Sequence, residues 1–369
     1  MKYFKLYTFC FLLFFSFPLI AQVEEEEKEE EEDFSMYDDW GTDESEKRYC
    51  GPKVKGLSPA KLITVGYDFA GPHDITGGAV GNIHEQSTER ASYYHGLKIA
   101  ANLPVYSTNK LLINIGGNYG EARYTFENDN LTNPFHLALD GNIRTLGLNT
   151  TIFKPFNEKH FALGYYGAEY SGNYTFEHLQ PASFIKHSWV GIFGWKFNER
   201  YQFGVGVTQS YRAGEVNYFP VIMYNYTSLS GNWGIEMLAP ARAHFRYRFS
   251  SKALILVGMD LEGTSYHISN RNNIFPESDE NNQILSEGFD YNSNQIELRR
   301  SEIRLNLKFE RALTDFIWVS AQAGYALNYR SDIDSGEFFR GFFKNYPYVM
   351  ENEVGGVPYI QLSLNLVSP

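Results

Sequence analysis

Basic side chains alternate with apolar ones between Ala241 and Phe249, and charged residues alternate with Ile303, Leu305 and Leu307 in a second row. Because successive side chains of a strand point to opposite faces, each row places its charges on one face. Asp260 and Glu262 alternate in the same way on the segment that follows the first row. The complete set is Arg242, His244, Arg246, Arg248, Asp260, Glu262, Arg300, Glu302, Arg304, Lys308 and Glu310.

This charge set is compatible with two kinds of lumen. A basic wall beside an acidic wall would orient and select small polar solutes in a water-filled lumen. The same side chains would also suit a lattice of ion pairs that fills and stiffens a barrel without an open path. The sequence leaves both interpretations open.

Catalysis has weaker support. His187 lies near Ser183 and Ser188, but none of the nine histidines falls in a motif that joins a nucleophile, a base and an orienting group. No cysteine, histidine or glutamate spacing typical of a metal site occurs, so we expect neither a metal nor a cofactor. We also expect that the chain is not an enzyme. The formal net charge of −12 argues against nucleic acid as a partner.

The elements that carry these charges are predicted to be strands. Between Tyr201 and Arg212, apolar residues occupy one face while Gln202, Gly204 and Thr208 occupy the other. Several such segments keep their phase for roughly 9–11 residues, the length that a tilted strand needs to cross a bilayer.

The connections between these strands alternate in length along the chain. Short connections are predicted near 107–109, 156–159, 198–200, 229–232, 250–252 and 312–315. Long polar connections are predicted near 71–90, 127–136, 172–184, 269–292 and 331–356. Alternating short turns and long loops are typical of an outer-membrane barrel, whose two rims face different compartments.

Aromatic residues also favour a barrel. Phe, Tyr and Trp make up 17% of the chain, and Phe153, Phe156 and Phe161 flank one of the short turns. Such rings form the girdles of membrane barrels at the lipid–water interfaces. The sequence therefore predicts an all-β protein, a single antiparallel transmembrane β-barrel.

About fourteen strands are predicted, starting near 61, 92, 110, 142, 160, 185, 201, 218, 233, 241, 253, 295, 316 and 357. Twelve strands are the alternative, because Ala239-Pro240 suits either a tight turn between two strands or a kink in one. A phase slip near Gly120 predicts a β-bulge. We interpret Phe338–Tyr346 as part of a loop.

The N-terminal region predicts export. Residues 1–21 have the basic start, short apolar middle and small final residue of a cleaved signal peptide. Residues 22–58 are predicted to be a disordered acidic leader, because residues 24–33 hold nine acidic residues and one lysine. The barrel is expected to span 59–369. After cleavage one cysteine, Cys50, would remain, so we expect an inert thiol and no intrachain disulfide.

A middle block of the sequence carries a resemblance to a known family. Its residues are Tyr218, Phe219, Pro220, Trp233, Leu238, Ala239, Pro240, Tyr247, Gly258, Asp260, Leu261, Glu262 and Gly263. With these, residues 219–268 and 295–330 resemble a Gram-negative outer-membrane β-barrel family of unknown function. The resemblance implies a porin-like barrel surrounded by outer-membrane lipid and inserted by the barrel-assembly machinery, and it assigns no active site.

These observations lead to one expected function and its alternatives. We expect a porin-like passive channel in the cell outer membrane whose partner is a small polar solute. The first alternative is a closed structural or surface-binding, adhesive barrel; an outer-membrane lipid-active enzyme is the weaker one. The sequence does not specify the oligomeric state.

Overall fold

A computed structural model describes residues 49–80, 84–175, 184–214, 216–268, 296–334 and 348–368. In this part of the chain the structure has sixteen strands and one short helix. The strands are β1 (Lys61–Ala70), β2 (His73–Gly77), β3 (Ser87–Thr108), β4 (Leu111–Phe126), β5 (Ile143–Pro155), β6 (His160–Gly172), β7 (Lys186–Asn198), β8 (Tyr201–Ser210), β9 (Asn217–Thr227), β10 (Trp233–Ala239), β11 (Arg242–Ser250), β12 (Ala253–His267), β13 (Glu297–Ala312), β14 (Ile317–Asp334), β15 (Glu353–Val354) and β16 (Val357–Val367).

Fourteen of these strands close into an antiparallel barrel, and β2 and β15 form a small addition at one rim. Strand β1 pairs with β16 on one side, where Val65 lies opposite Leu364, and with β3 on the other, where Val65 lies opposite Ile99. The first and last barrel strands are therefore hydrogen-bonded to each other, and the sheet has no open edge along its length. The predicted fourteen strands are confirmed.

The outer face of the barrel is apolar. On β1 and β16 the side chains that alternate outward are exposed, and these are Ile63, Val65, Tyr67, Phe69, Ile360, Leu362, Leu364 and Leu366. The inward side chains between them include buried Asp68 and Asn365. Only a surrounding of lipid suits an apolar exterior around a polar interior, so this is the pattern of a transmembrane barrel.

The two rims differ as predicted. Six short turns, such as 109–110 and 251–252, lie at one rim, together with Lys61 and Val367. We call it the short-turn rim, and the opposite one the long-loop rim. Ala239-Pro240 is a turn at the long-loop end of β10, because Leu238 lies opposite Arg242. The barrel strands begin within about five residues of their predicted starts.

One local prediction was wrong. The pairing of β4 with β5 is regular through Gly120, and the register shifts instead occur in β3, between Ala91 and Tyr93 and between Pro104 and Tyr106. The apolar pattern of the sequence is interrupted near Gly120 because the outward face becomes polar there: the Tyr119 hydroxyl donates to Glu121 at 2.9 Å. Phe338–Tyr346 lies outside the described residues.

A short helix in the predicted loop near 127–136 was not expected. Helix α1 (Pro134–Asp140) begins at Asn133, whose side-chain oxygen accepts from the backbone N–H of Phe135. Phe135 and Leu139 are buried in an apolar cluster at the long-loop rim. Seven residues are too few to show a helical period in the sequence. No helix among the described residues has the length and apolar character needed to cross a membrane.

The barrel wall is lowest at the hairpin of β10 and β11. Both neighbouring strands continue beyond it: β9 extends from Ile222, the partner of Ala239, back to Asn217, and β12 extends from Asp260 to His267. Above the hairpin, β12 pairs with β6 through His267 and Gly172. The hairpin therefore ends part of the way up the wall and presents its turn to the lumen.

The lipid-facing assignment can be tested with two neighbouring residues of β5. Leu148 points outward and is 69% exposed, whereas Asn149 points into the lumen. We expect Leu148→Arg to lower the free energy of unfolding by about 2–4 kcal/mol, because it places a charge in lipid. Asn149→Arg should lower the free energy of unfolding much less, because its charge lies in the lumen. Urea titration of the protein in lipid vesicles measures both, and equal costs would contradict the assigned faces.

Candidate functional site: the barrel lumen

The centre of the lumen holds a network of ion pairs that crosses from β1 and β3 to β12 and β13. Asp68 is 1% exposed and its Oδ2 lies 2.9 Å from Lys98 Nζ and 2.8 Å from Arg304 Nη1. Glu262 lies 2.8 Å from Lys98 and 3.5 Å from Arg304. Glu302 lies 2.6 Å from the same arginine. Each charge is thus neutralised within the network, as burial requires.

Arg300 extends this network towards the long-loop rim. It binds Glu302 at 3.0 Å, and its guanidinium lies 5.6 Å and 5.5 Å from the ring centres of Tyr94 and Tyr124. Such stacking suits the flat, weakly hydrated guanidinium. We call this set of three acidic and three basic residues the charge lattice. Its members are Asp68, Lys98, Glu262, Arg300, Glu302 and Arg304.

A glycine gives the lattice room to form. Arg304 lies 4.8 Å from the centre of the Tyr359 ring, and the same ring approaches Gly324. A Cβ atom at Gly324 would lie 2.0 Å from the Leu305 carbonyl oxygen and 3.0 Å from Tyr359. A larger residue there would displace the ring on which Arg304 stacks.

Nearer the short-turn rim, other predicted charges form smaller groups. Lys61 binds Glu310 at 2.6 Å, and Asp260 accepts from Asn306 at 2.8 Å and lies 3.4 Å from His244. Two further predicted residues, Arg242 and Lys308, have no ion pair or side-chain hydrogen bond among the described residues. All eleven predicted residues lie on the inward phase of their strands. Six of them form ion pairs with a lysine, an arginine or a glutamate, and these are Arg246, Glu262, Arg300, Glu302, Arg304 and Glu310.

Residues 49–58 cross the short-turn rim, and we call them the N-terminal strap. The Cys50 N–H donates to the carbonyl oxygen of Asn157 at 3.1 Å, in the turn between β5 and β6. The Lys55 N–H donates to the carbonyl oxygen of Glu199 at 2.7 Å, in the turn between β7 and β8. The strap therefore passes from turn to turn before the chain enters β1.

Lumen side chains hold the end of the strap. The backbone N–H and hydroxyl of Ser58 both donate to Glu236 Oε1 at 2.9 Å. The same carboxylate oxygen binds Arg246 at 2.5 Å, and Arg246 also donates to Thr227 at 2.7 Å. Arg246 is fully buried. It therefore fixes the strap and does not present a free charge to a solute.

The neighbouring Arg248 has a related role, because it donates to the carbonyl oxygens of Gly56 and Leu57 at 3.3 Å and 3.1 Å. For residues 49–58, the structure thus differs from the expected disordered leader. The sequence did not indicate this order, since it depends on partners far along the chain. Residues 1–48, with the predicted signal peptide and acidic stretch, lie outside the described residues. Burial raises the pKa of the Cys50 thiol, which favours its unreactive protonated form.

Between the lattice and the opposite wall the lumen contains a cavity of about 790 Å³. Five of the six lattice residues, all but Asp68, line one side of it. The other side, from β4 to β10, combines amides and hydroxyls with apolar side chains, including Asn118, Asn149, Tyr165, Val190, Val221 and Leu238. The barrel is therefore filled on one side and hollow on the other.

Sequence reasoning missed several residues that form these sites, among them Asp68, Lys98 and Glu236. Asp68 was detectable in principle, since it lies on the polar phase of β1 between Tyr67 and Phe69. Glu236 offered no comparable signal, because its strand has only seven residues. Their partners are distant in sequence, so no local pattern could show the pairing.

The described residues offer little for catalysis. His187 is hydrogen-bonded to the Tyr166 hydroxyl at 2.8 Å on the outer phase of β6 and β7, away from the lumen. Ser183 lies outside the described residues. Within the described part of the chain, no group of three or more His, Cys, Asp or Glu side chains is placed to hold a metal ion.

The closed sheet, its apolar exterior and its charged lumen define the chain as an outer-membrane type of β-barrel. A family model described as a domain of unknown function (DUF6268) matches residues 84–366. The chain therefore belongs to this family. A comparison with curated proteins gave no match.

Three solved structures have some similarity to this chain. An outer-membrane channel from Pseudomonas putida F1 has 10% identity and a TM-score of 0.38, with 86% of this chain and 99% of that chain covered. A Pseudomonas aeruginosa FadL homologue has 9% identity and a TM-score of 0.38, with 85% of this chain and 91% of that chain covered. The P. putida toluene transporter TodX has 6% identity and a TM-score of 0.32, with 85% of this chain and 92% of that chain covered. Similarity at this level carries no argument about function.

The structural role of the lattice can be tested with two aspartates. Asp68 is buried between two cations, whereas Asp74 lies in an exposed pair, 3.2 Å from Arg90. We expect Asp68→Asn to lower the free energy of unfolding by about 3–5 kcal/mol, because it leaves the charge lattice with three cations and two carboxylates, and so with one uncompensated positive charge. Asp74→Asn should cost less than about 1 kcal/mol. Urea titration in vesicles measures both, and a small cost at Asp68 would show that the lattice is well hydrated.

Proposed function

We propose that the chain is an outer-membrane channel that passes small polar solutes by diffusion. The observation that carries this proposal is the cavity of about 790 Å³ beside the charge lattice. A barrel that served only as a rigid body would gain stability from a completely packed interior, because unfilled volume costs packing energy. Here one side of the lumen is packed and neutralised while the other is hollow and lined by amides and hydroxyls.

The geometry also suggests which parts of the channel are fixed. Charges of the lattice are paired at 2.6–3.5 Å, so they contribute little net field to a passing solute. The hollow side, formed by β4 to β10, provides the path in this proposal. The expected surrounding of outer-membrane lipid and insertion by the assembly machinery belong to the same proposal.

A second candidate, a barrel that is closed at rest, is favoured by the N-terminal strap. The strap crosses the short-turn rim and is held by Glu236 and Arg248. If it blocks the path, the protein would conduct only when the strap moves. The two candidates therefore differ in the current expected from the intact protein.

Single-channel recording in planar bilayers separates them. We expect the intact protein to conduct, and a variant lacking residues 49–56 to conduct more, because the strap narrows the short-turn rim. Lys252→Gln is the control, since Lys252 lies at the same rim and its side chain pairs with exposed Asp315 instead of the strap. Current from the deletion variant, with none from the intact protein, would favour the closed barrel. The absence of current above background from both folded proteins would overturn the channel.

A further inference from the structure

Arg242 occupies a special position in the lumen. It is the first residue of β11, and it lies opposite Leu238 on β10 and Asp260 on β12. Because the hairpin ends part of the way up the wall, the side chain projects at the level of the cavity and lines it. It is exposed, although it points inward.

Its electrostatic environment distinguishes it from the other inward arginines of β11 and β13. Arg246, Arg300 and Arg304 bind carboxylates, and Arg248 binds the strap. The side chain of Arg242 has no hydrogen bond or ion pair with any described residue. Every donor of its guanidinium is therefore available to a ligand.

The nearest carboxylate along the sheet does not neutralise this arginine. Asp260 directly faces Arg242 in the strand register, but it accepts from Asn306 at 2.8 Å and lies 3.4 Å from His244. Asp260 is thus engaged on the side towards the short-turn rim. The positive charge of Arg242 is left facing the cavity.

The wall from β6 to β10 carries apolar side chains beside its hydroxyls and the Glu169 carboxylate. Cavity-lining side chains from β6 to β10 include Leu163, Val190, Phe219, Val221 and Leu238. Four of these, all but Phe219, also pack with an apolar cluster that contains Phe161 and Met223. An unpaired cation thus lies at the edge of an apolar surface in a water-accessible space. Binding pockets for small molecules commonly combine an apolar lining with few polar groups, and have volumes of roughly 300–1,000 Å³.

We propose that the cavity binds a small organic acid, with its carboxylate on Arg242 and its apolar body against the wall of β6 to β10. A guanidinium matches a carboxylate in a two-point, charge-assisted geometry. A single free arginine suits a monoanion better than a dianionic phosphate. This inference names a solute class for the proposed channel and so rests on that function, but the binding can be measured without any current.

The probe is benzoate, compared with benzamide, a neutral molecule of nearly the same shape. Calorimetry on the folded protein in detergent should show tighter binding of benzoate. Arg242→Gln should weaken benzoate binding about tenfold or more and leave benzamide unchanged, since it removes a charge-assisted interaction. Arg242→Lys should give an intermediate affinity, because it retains the charge and loses the two-point geometry.

The matched control is Arg123→Gln. Arg123 is an exposed arginine on the outward phase of β4, opposite His95, and its loss should leave benzoate binding unchanged. Equal benzoate affinity in the intact protein and Arg242→Gln would overturn the proposal, as would equal binding of benzoate and benzamide to the intact protein. A barrel that conducts but does not bind benzoate refutes only this site, whereas benzoate binding without current refutes only the channel.

Discussion

The hydrogen bonding between β1 and β16 is the constraint on which the rest of the structure depends. In lipid, an unpaired backbone N–H or C=O group costs several kcal/mol, so a spanning sheet must have no free edge. The register that joins Val65 to Leu364 removes that edge. Once the sheet is closed, successive side chains of each strand must face lipid and the lumen in turn. The apolar exterior and the charged interior both follow from this closure.

Closure also decides how the interior charges are arranged. Closure brings strands that are far apart in the chain to the same side of the barrel. Only β16 and β14 separate β1 from β13 in the sheet, so Asp68 of β1 can meet Arg304 of β13. Buried charges require partners, and the charge lattice meets this requirement on one side of the barrel. The strap uses the same chemistry at the short-turn rim, where Glu236 binds both Ser58 and Arg246. Packing and neutralisation thus restrict the hollow part of the lumen to the opposite side.

The short hairpin of β10 and β11 carries a charge that escapes this neutralisation. Its neighbours extend past it, so its first inward arginine reaches the cavity instead of a facing strand. Arg246 and Arg248 lie deeper on the same strand and are bound, while Arg242 is not. The difference between these three residues of identical type arises from their height in the wall. Residue type on a strand therefore indicates which face of the sheet a side chain occupies, but not which partner it binds.

The sequence by itself determined the class of fold, because side-chain alternation, strand length and the alternation of short and long connections are local properties. It located all fourteen barrel strands and the inward phase of the eleven charges. Only the tertiary structure decided which charges neutralise each other, that the strap is ordered, and that Arg242 faces a cavity. Those properties depend on distances between residues such as Ser58 and Glu236, which are 178 positions apart. A pattern along one strand contains no information about the strand that will face it.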